Sequence, residues 1–327
     1  MSWSRSFRVT TVAAGLSAAA ALTLTACGSD QETDTAAGPV TVVASTDVWG
    51  SVAQAVAGDH LQVTSIITDP SADPHSFEAS PADAAEVTDA SLVVYNGGGY
   101  DQFVDDILGS GDGSSDQRTV NAFDILEGGA PAGGDQHESA AAHTGESPEG
   151  HDHGEINEHV WYDVAAVDAT AHAIADQLGE LDPDNAGAYR ANADSFSGQL
   201  AQITAVTDSI AATHRDAPVV QTEPIAHYLL EEASLQDVTP EGFTSAIENG
   251  NDPAAADIAA IRQLFADKQV KALVYNVQTQ DNVTEDVRAT AEAAGIPVVE
   301  VTETLPEGLD YLQWQTDTAK ALAAALQ

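Results

Sequence analysis

The stretch DPDNAGAYRANADSFSGQLAQITAVTDSIAAT, Asp182 to Thr213, decides how the rest of the chain is read. Asp182 followed by Pro183 offers an N-cap and a residue suited to the first helical position. From there Tyr189, Phe196, Leu200, Ile203 and Ile210 recur at helical spacing, with Ala193 and Val206 filling the same stripe. The pattern predicts one helix at 182–213, well beyond the roughly 10–14 residues usual in globular proteins. On both sides of it, short β-branched runs alternate with Ala-rich amphipathic stretches. Upstream they are Val40 to Ser45 then Trp49 to Ala57, Gln62 to Ile67 then Pro81 to Ala90, and Leu92 to Tyr95 then Gln102 to Leu108. Downstream come Pro218 to Gln221, Ile225 to Ala233, Pro253 to Phe265, Ala272 to Tyr275, Val283 to Ala293, Val298 to Val301 and a last helix near Gln313 to Leu326. Such alternation marks βα units around mostly parallel sheets. The expected fold is α/β: two βα lobes, 39–181 and 214–327, joined by one long rigid helix at 182–213.

Composition limits what such a fold can bind. The 327 residues carry 52 Asp plus Glu against 10 Lys plus Arg, a formal net charge of -42. A polyanion of this strength repels phosphate backbones and anionic headgroups, which argues against nucleic acid and against a basic membrane-surface mode. Divalent cations are its natural small partners. There is one Cys and one Met. Met1 is the initiator, and Cys27 follows a charged start (Arg5, Arg8) and an apolar run, Val12 to Leu24, too short to span a bilayer. Leu24-Thr25-Ala26-Cys27 resembles the lipobox of bacterial lipoproteins. The expectation is a signal peptide at 1–26, a lipidated Cys27, a flexible stalk at 27–38, and an extracytoplasmic protein anchored to the outer face of the cell membrane. No other sulfur is then left, so thiolate zinc fingers, blue-copper sites and Cys nucleophiles are excluded. A metal site must use His, carboxylate or carbonyl.

Polar residues that follow strands or loops are the candidates for it, because α/β sheets bind ligands outside the carboxyl ends of their strands. His75 stands in Asp73-Pro74-His75-Ser76-Phe77-Glu78, after the run ending at Ile67. His159 stands in Asn157-Glu158-His159-Val160-Trp161, before a predicted helix at Val164 to Leu178. Glu223 follows Val219-Val220-Gln221-Thr222, and Glu303 follows Val298-Val299-Glu300-Val301-Thr302. His227, one helical turn past Glu223, and Glu300 are their competitors. Asn276, after Ala272 to Tyr275, is placed to orient a ligand.

Between the lobe-forming runs, residues 128–157 are rich in Gly, Ala, Ser, Glu and His and almost lack aliphatic side chains, which predicts a mobile loop. His137, His143, His151 and His153, with His159 after them, hold half of the ten histidines. The functional expectation is an auxiliary, low-affinity zinc collector or sensor.

These motifs resemble those of the substrate-binding lipoproteins of zinc and manganese ABC importers, over nearly the whole chain. The resemblance implies one cation held between two lobes by His75, His159, Glu223 and Glu303, and delivery to an ABC permease by a monomeric protein. Zn2+ is favoured, Mn2+ the alternative. Glu158 and Val164 stand where proline is common in the family, and Glu303 replaces the more usual Asp. Two imidazoles and two carboxylates suit borderline and hard divalent ions.

Enzymatic motifs fail on inspection. After His137-Glu138 the second His lies at 143, six residues on instead of the four a helical metalloprotease site needs. Asn96-Gly97-Gly98-Gly99 has no Lys-Ser/Thr sequel and reads as a turn; Gly109 to Asp116 lacks calcium-loop spacing. No Gly-x-Ser-x-Gly elbow occurs. A secreted zinc hydrolase, with three protein ligands and an open water position, and a surface adhesin are the rival readings.

Overall fold

The computed structural model describes residues 39–111, 117–128 and 156–327, and residues 39–327 form one compact unit. The predicted signal peptide, Cys27, the stalk, and His137, His143, His151 and His153 lie outside the described residues.

Two four-stranded, wholly parallel sheets make the frame. The first contains β1 (Val42–Thr46), β2 (Val63–Ile67), β3 (Leu92–Tyr95) and β4 (Arg118–Asn121) in the order β2-β1-β3-β4. The second repeats that order with β5 (Pro218–Gln221), β6 (Gln236–Asp237), β7 (Leu273–Asn276) and β8 (Val298–Val301), as β6-β5-β7-β8. The central strands β1, β3 and β7 are buried at every residue. That is why they read as continuous apolar runs: helices cover both faces. β8 instead alternates, burying Val299 and Val301 and exposing Glu300.

The long helix spans Ala186–His214, 29 residues. Tyr189, Ala193, Phe196, Leu200, Ile203 and Ile210 are buried along it as the stripe predicts, while Val206 is half-buried and Thr207 joins the buried face. Its start differs from the predicted capping. Pro183–Asn185 forms a separate 3-10 turn, and the Asp182 carboxylate accepts from the Tyr189 hydroxyl (2.6 Å) and Asn185 Nδ2 (2.8 Å) instead of capping backbone amides. The helix packs against the helices Val164–Leu181, Asp47–Ala57 and Tyr311–Ala325. One apolar core cluster therefore runs from Val42 and Trp49 through Phe196 to Val274, Trp314 and Leu322, and two smaller clusters gather around Phe243 and Tyr275 and around Val93 and Phe103. At roughly 25 cal/mol per Å² of apolar area, these buried aromatic and aliphatic side chains supply the main stabilisation.

Polar contacts join the two sheets where their strands end. Tyr311 Oη donates to Trp161 O (2.8 Å), Tyr162 Oη to Thr302 O (3.0 Å), and Leu305 N to Asp47 Oδ1 (3.1 Å). Gln278 Nε2 donates to Ala72 O (3.0 Å) and Thr304 Oγ1 to Pro70 O (3.3 Å). Among the described residues no helix is long and apolar enough to cross a membrane.

Candidate metal centre

In each sheet the chain steps from its first strand outward and then back across it, so the carboxyl ends of β1 and β3, and of β5 and β7, flank a crevice. The crevices share one cleft of about 750 Å³, lined among others by His75, His159, Glu223 and Glu303. All four predicted residues thus come together, carried by segments separated by up to 228 positions, 75 to 303.

His75 sits in the 3-10 turn Pro74–Ser76. Asp73 builds that turn: its Oδ1 accepts from His75 N (2.9 Å) and its Oδ2 from Ser76 Oγ (3.0 Å). The imidazole is exposed and meets the buried Tyr100 ring edge-on at 4.8 Å. His159 is buried, with its ring centroid 6.0 Å from that of His75. Asn157 Oδ1 accepts from His159 N (2.9 Å) and lies 3.0 Å from His159 Nδ1. An amide oxygen only accepts, so Nδ1 carries the proton and Nε2 keeps the lone pair that a metal needs. Asn157 is fixed in turn, donating through Nδ2 to Pro224 O (3.0 Å) and accepting at its carbonyl from Tyr228 Oη (2.5 Å).

The carboxylates arrive from the other sheet. Glu223 follows β5 and precedes the turn Pro224–Ala226; Glu303 follows β8; both are buried. A single amide nitrogen spans them: Asn276 Nδ2 donates to Glu223 Oε2 (2.5 Å) and to Glu303 Oε1 (2.7 Å). The orienting position predicted for Asn276 is thus occupied by hydrogen bonds to both acids. Burial pushes the Glu303 carboxyl up to about 8, reinforced by the nearby Glu223 charge, and pushes Glu223 up to about 7 against the pull of Asn276 and Thr279. The Tyr100 hydroxyl lies close enough to favour ionised Glu303, yet Glu303 Oε2 completes no hydrogen bond of good geometry among the described residues. Such an oxygen is suited to a cation.

The competitors lie elsewhere. His227 pairs with Glu231 at 3.5 Å and does not line the cleft, and Glu300 binds Arg288 Nη2 at 2.6 Å on the exposed face of β8. Three further residues were not among the predicted ligands. Glu158 is buried, and its carboxylate lies within 4.8 Å of ring nitrogens of both His75 and His159. Glu248, at the end of the helix Glu241–Glu248, lines the cleft; burial and the charges of Glu158 and Glu223 push it up to about 8. Gln278 links the halves, with Oε1 accepting from Glu303 N while Nε2 reaches Ala72 O, three residues before His75.

Gly97, Gly98 and Gly99 all hold positive φ. A Cβ on Gly97 would fall 2.1 Å from Asn121 Oδ1, and one on Gly98 would fall 2.6 Å from the Phe123 ring, so this turn requires glycine. Asp101 Oδ1 and Oδ2 accept from Gly97 N (2.8 Å) and Asn96 N (2.7 Å), and Asn96 Nδ2 donates to Glu158 O (2.8 Å). The glycine turn therefore supports the His159 segment and opens the cleft wall, as a turn and not a phosphate loop.

Residues 42–325 match the family described as zinc-uptake complex component A, periplasmic (ZnuA). The high-affinity zinc uptake system protein ZnuA of Bacillus subtilis (strain 168) is 24% identical over 267 residues, covering 78% of each chain. The manganese-binding lipoprotein MntA of the same organism is 25% identical over 279 residues, 84% of this chain and 82% of that one. Among solved structures, a periplasmic metal-binding protein from Candidatus Liberibacter asiaticus superposes with a TM-score of 0.65 at 21% identity, covering 88% of this chain and all of that one. At that identity the likeness establishes the fold.

Proposed function

We propose that this chain, which belongs to the periplasmic zinc-uptake complex component A family, captures one divalent cation outside the cytoplasm and delivers it to an ABC permease, with Zn2+ the preferred ion. The observation that carries the reading is the convergence of His75, His159, Glu223 and Glu303 on one cleft, with Asn276 bridging the two carboxylates. Imidazole nitrogen with carboxylate oxygen, and no thiolate, suits zinc, and at such a site zinc outcompetes manganese. Residues 1–26 act as a signal peptide, and the protein works as a monomer tethered through lipidated Cys27. The relatives named for manganese, and the number of carboxylates in the cleft, favour Mn2+ as the second ion.

Four protein ligands close a zinc site, whereas a hydrolase keeps a position open for water. Nanomolar capture corresponds to about -12.3 kcal/mol, which screened surface acidity does not supply, so these four side chains carry the affinity. The test is competitive titration of metal-free protein with Zn2+ and Mn2+ against a chelator of known strength. One tight ion per chain, with zinc ahead of manganese, is expected. Several weak ions per chain with no saturable tight step would refute the proposal.

A further inference from the structure

We propose that Glu158 is a fifth ligand in this site and that it sets the standing of manganese against zinc, an inference that rests on the metal site proposed above. Glu158 directly precedes His159 in the chain and stands outside the four predicted ligands. The donor atoms of His75, Glu158 and His159 lie within 4.8 Å of one another. Ligands at roughly 2.0–2.2 Å from a zinc ion stand about 3.4 Å apart in a tetrahedron, so the three donors need to close by no more than about 1.4 Å to share one ion.

The backbone of Glu158 is already fixed. Its carbonyl accepts from Asn96 Nδ2 (2.8 Å) and Val160 N (2.7 Å), and Asn96 Oδ1 accepts from Trp49 Nε1 (3.2 Å) in the buried core. With the side chain enclosed as well, little conformational freedom remains to be lost on binding.

A fifth donor alters the chemistry. Two imidazoles and three carboxylates give an N2O3 set, and one bidentate carboxylate takes it to six donors. Zinc is satisfied by four, whereas oxygen-rich sites of higher coordination suit manganese. Glu158 therefore contributes more to Mn2+ than to Zn2+.

The experiment measures Zn2+ and Mn2+ affinity for wild type, Glu158→Gln, Glu158→Asp and His75→Ala, and records the visible spectrum of each Co2+-loaded form. Expected for Glu158→Gln is at least a roughly tenfold loss for Mn2+, about threefold or less for Zn2+, and more intense cobalt bands as coordination falls. Glu158→Asp keeps the charge but withdraws the oxygens, and gives the same selective loss with little risk to folding. Unchanged affinities for both ions, or an equal loss for both with an unaltered cobalt spectrum, would overturn the role of Glu158. Wild-type affinity in His75→Ala would instead overturn the underlying site.

Discussion

Removing the Asn276 amide gives a deficit in zinc affinity that depends on pH in a defined direction. In Asn276→Leu the branching of the side chain is kept with some added bulk, but Glu223 and Glu303 lose the donor they share and Gln278 N loses its acceptor. That donor favours the ionised form of both carboxyls, which burial pushes up to about 7 and about 8 even with it in place. A hydrogen bond to a charged group contributes about 1.5–3 kcal/mol. Shared between two acids, the loss raises each by about one unit at 1.36 kcal/mol per unit. At pH 7 zinc must displace these protons, so the variant binds about 2 kcal/mol more weakly, roughly 30-fold, within the tenfold to hundredfold range of outer hydrogen-bond partners. Near pH 9.5 both carboxyls are largely ionised in both proteins, and the gap shrinks to a few-fold. The assay is competition against a zinc-buffering chelator from pH 6 to 9.5. A deficit that stays constant across that range, or no deficit at pH 7, would refute the account of Asn276.

The metal-free protein should lose stability as pH rises. Glu223, Glu248 and Glu303 all titrate higher when folded than the ordinary 4.5, so the folded state holds more protons; stability falls from about pH 4.5 through 8 and levels off above. Urea unfolding at pH 5.5 and 8.5 checks this, and zinc should restore most of the loss at the higher pH; a rise in metal-free stability over that interval would contradict it. Gln278→Ala cuts the tie between Ala72 and the Glu303 backbone, and stopped-flow chelator chase should show zinc leaving roughly tenfold faster with little change in on-rate, equivalent to about 1.4 kcal/mol. Tyr311→Phe orphans the buried Trp161 carbonyl, and equilibrium denaturation should register a loss of about 1–3 kcal/mol.

Where periodicity carries the information, the fold was legible. β1, β3 and β7 appear as apolar runs because they are covered on both faces, and the stripe from Tyr189 to Ile210 announces the long helix because that helix packs against several others. Asp182 misled because cap residues are judged from neighbours in sequence, while the Tyr189 hydroxyl, brought back by two helical turns, claims its carboxylate. At the site, His75 and His159 were visible in extended motifs, and Glu223 and Glu303 from their places after strands. Glu158 was noted only as a departure from proline; its nearness to His75, 83 positions earlier in the chain, is a tertiary fact. Gln278 and Glu248 gave no signal at all, since a side chain that reaches across a cleft leaves no periodic trace.

The central claim is that one cation sits among His75, His159, Glu223 and Glu303. A crystal structure of the zinc-loaded protein, with anomalous data collected on both sides of the zinc edge, tests it directly. The account predicts a single strong peak per chain in the cleft, about 2.0–2.2 Å from nitrogens of both histidines and oxygens of both glutamates. A peak elsewhere on the acidic surface, or a cleft peak that leaves Glu223 and Glu303 joined only to Asn276, would contradict it.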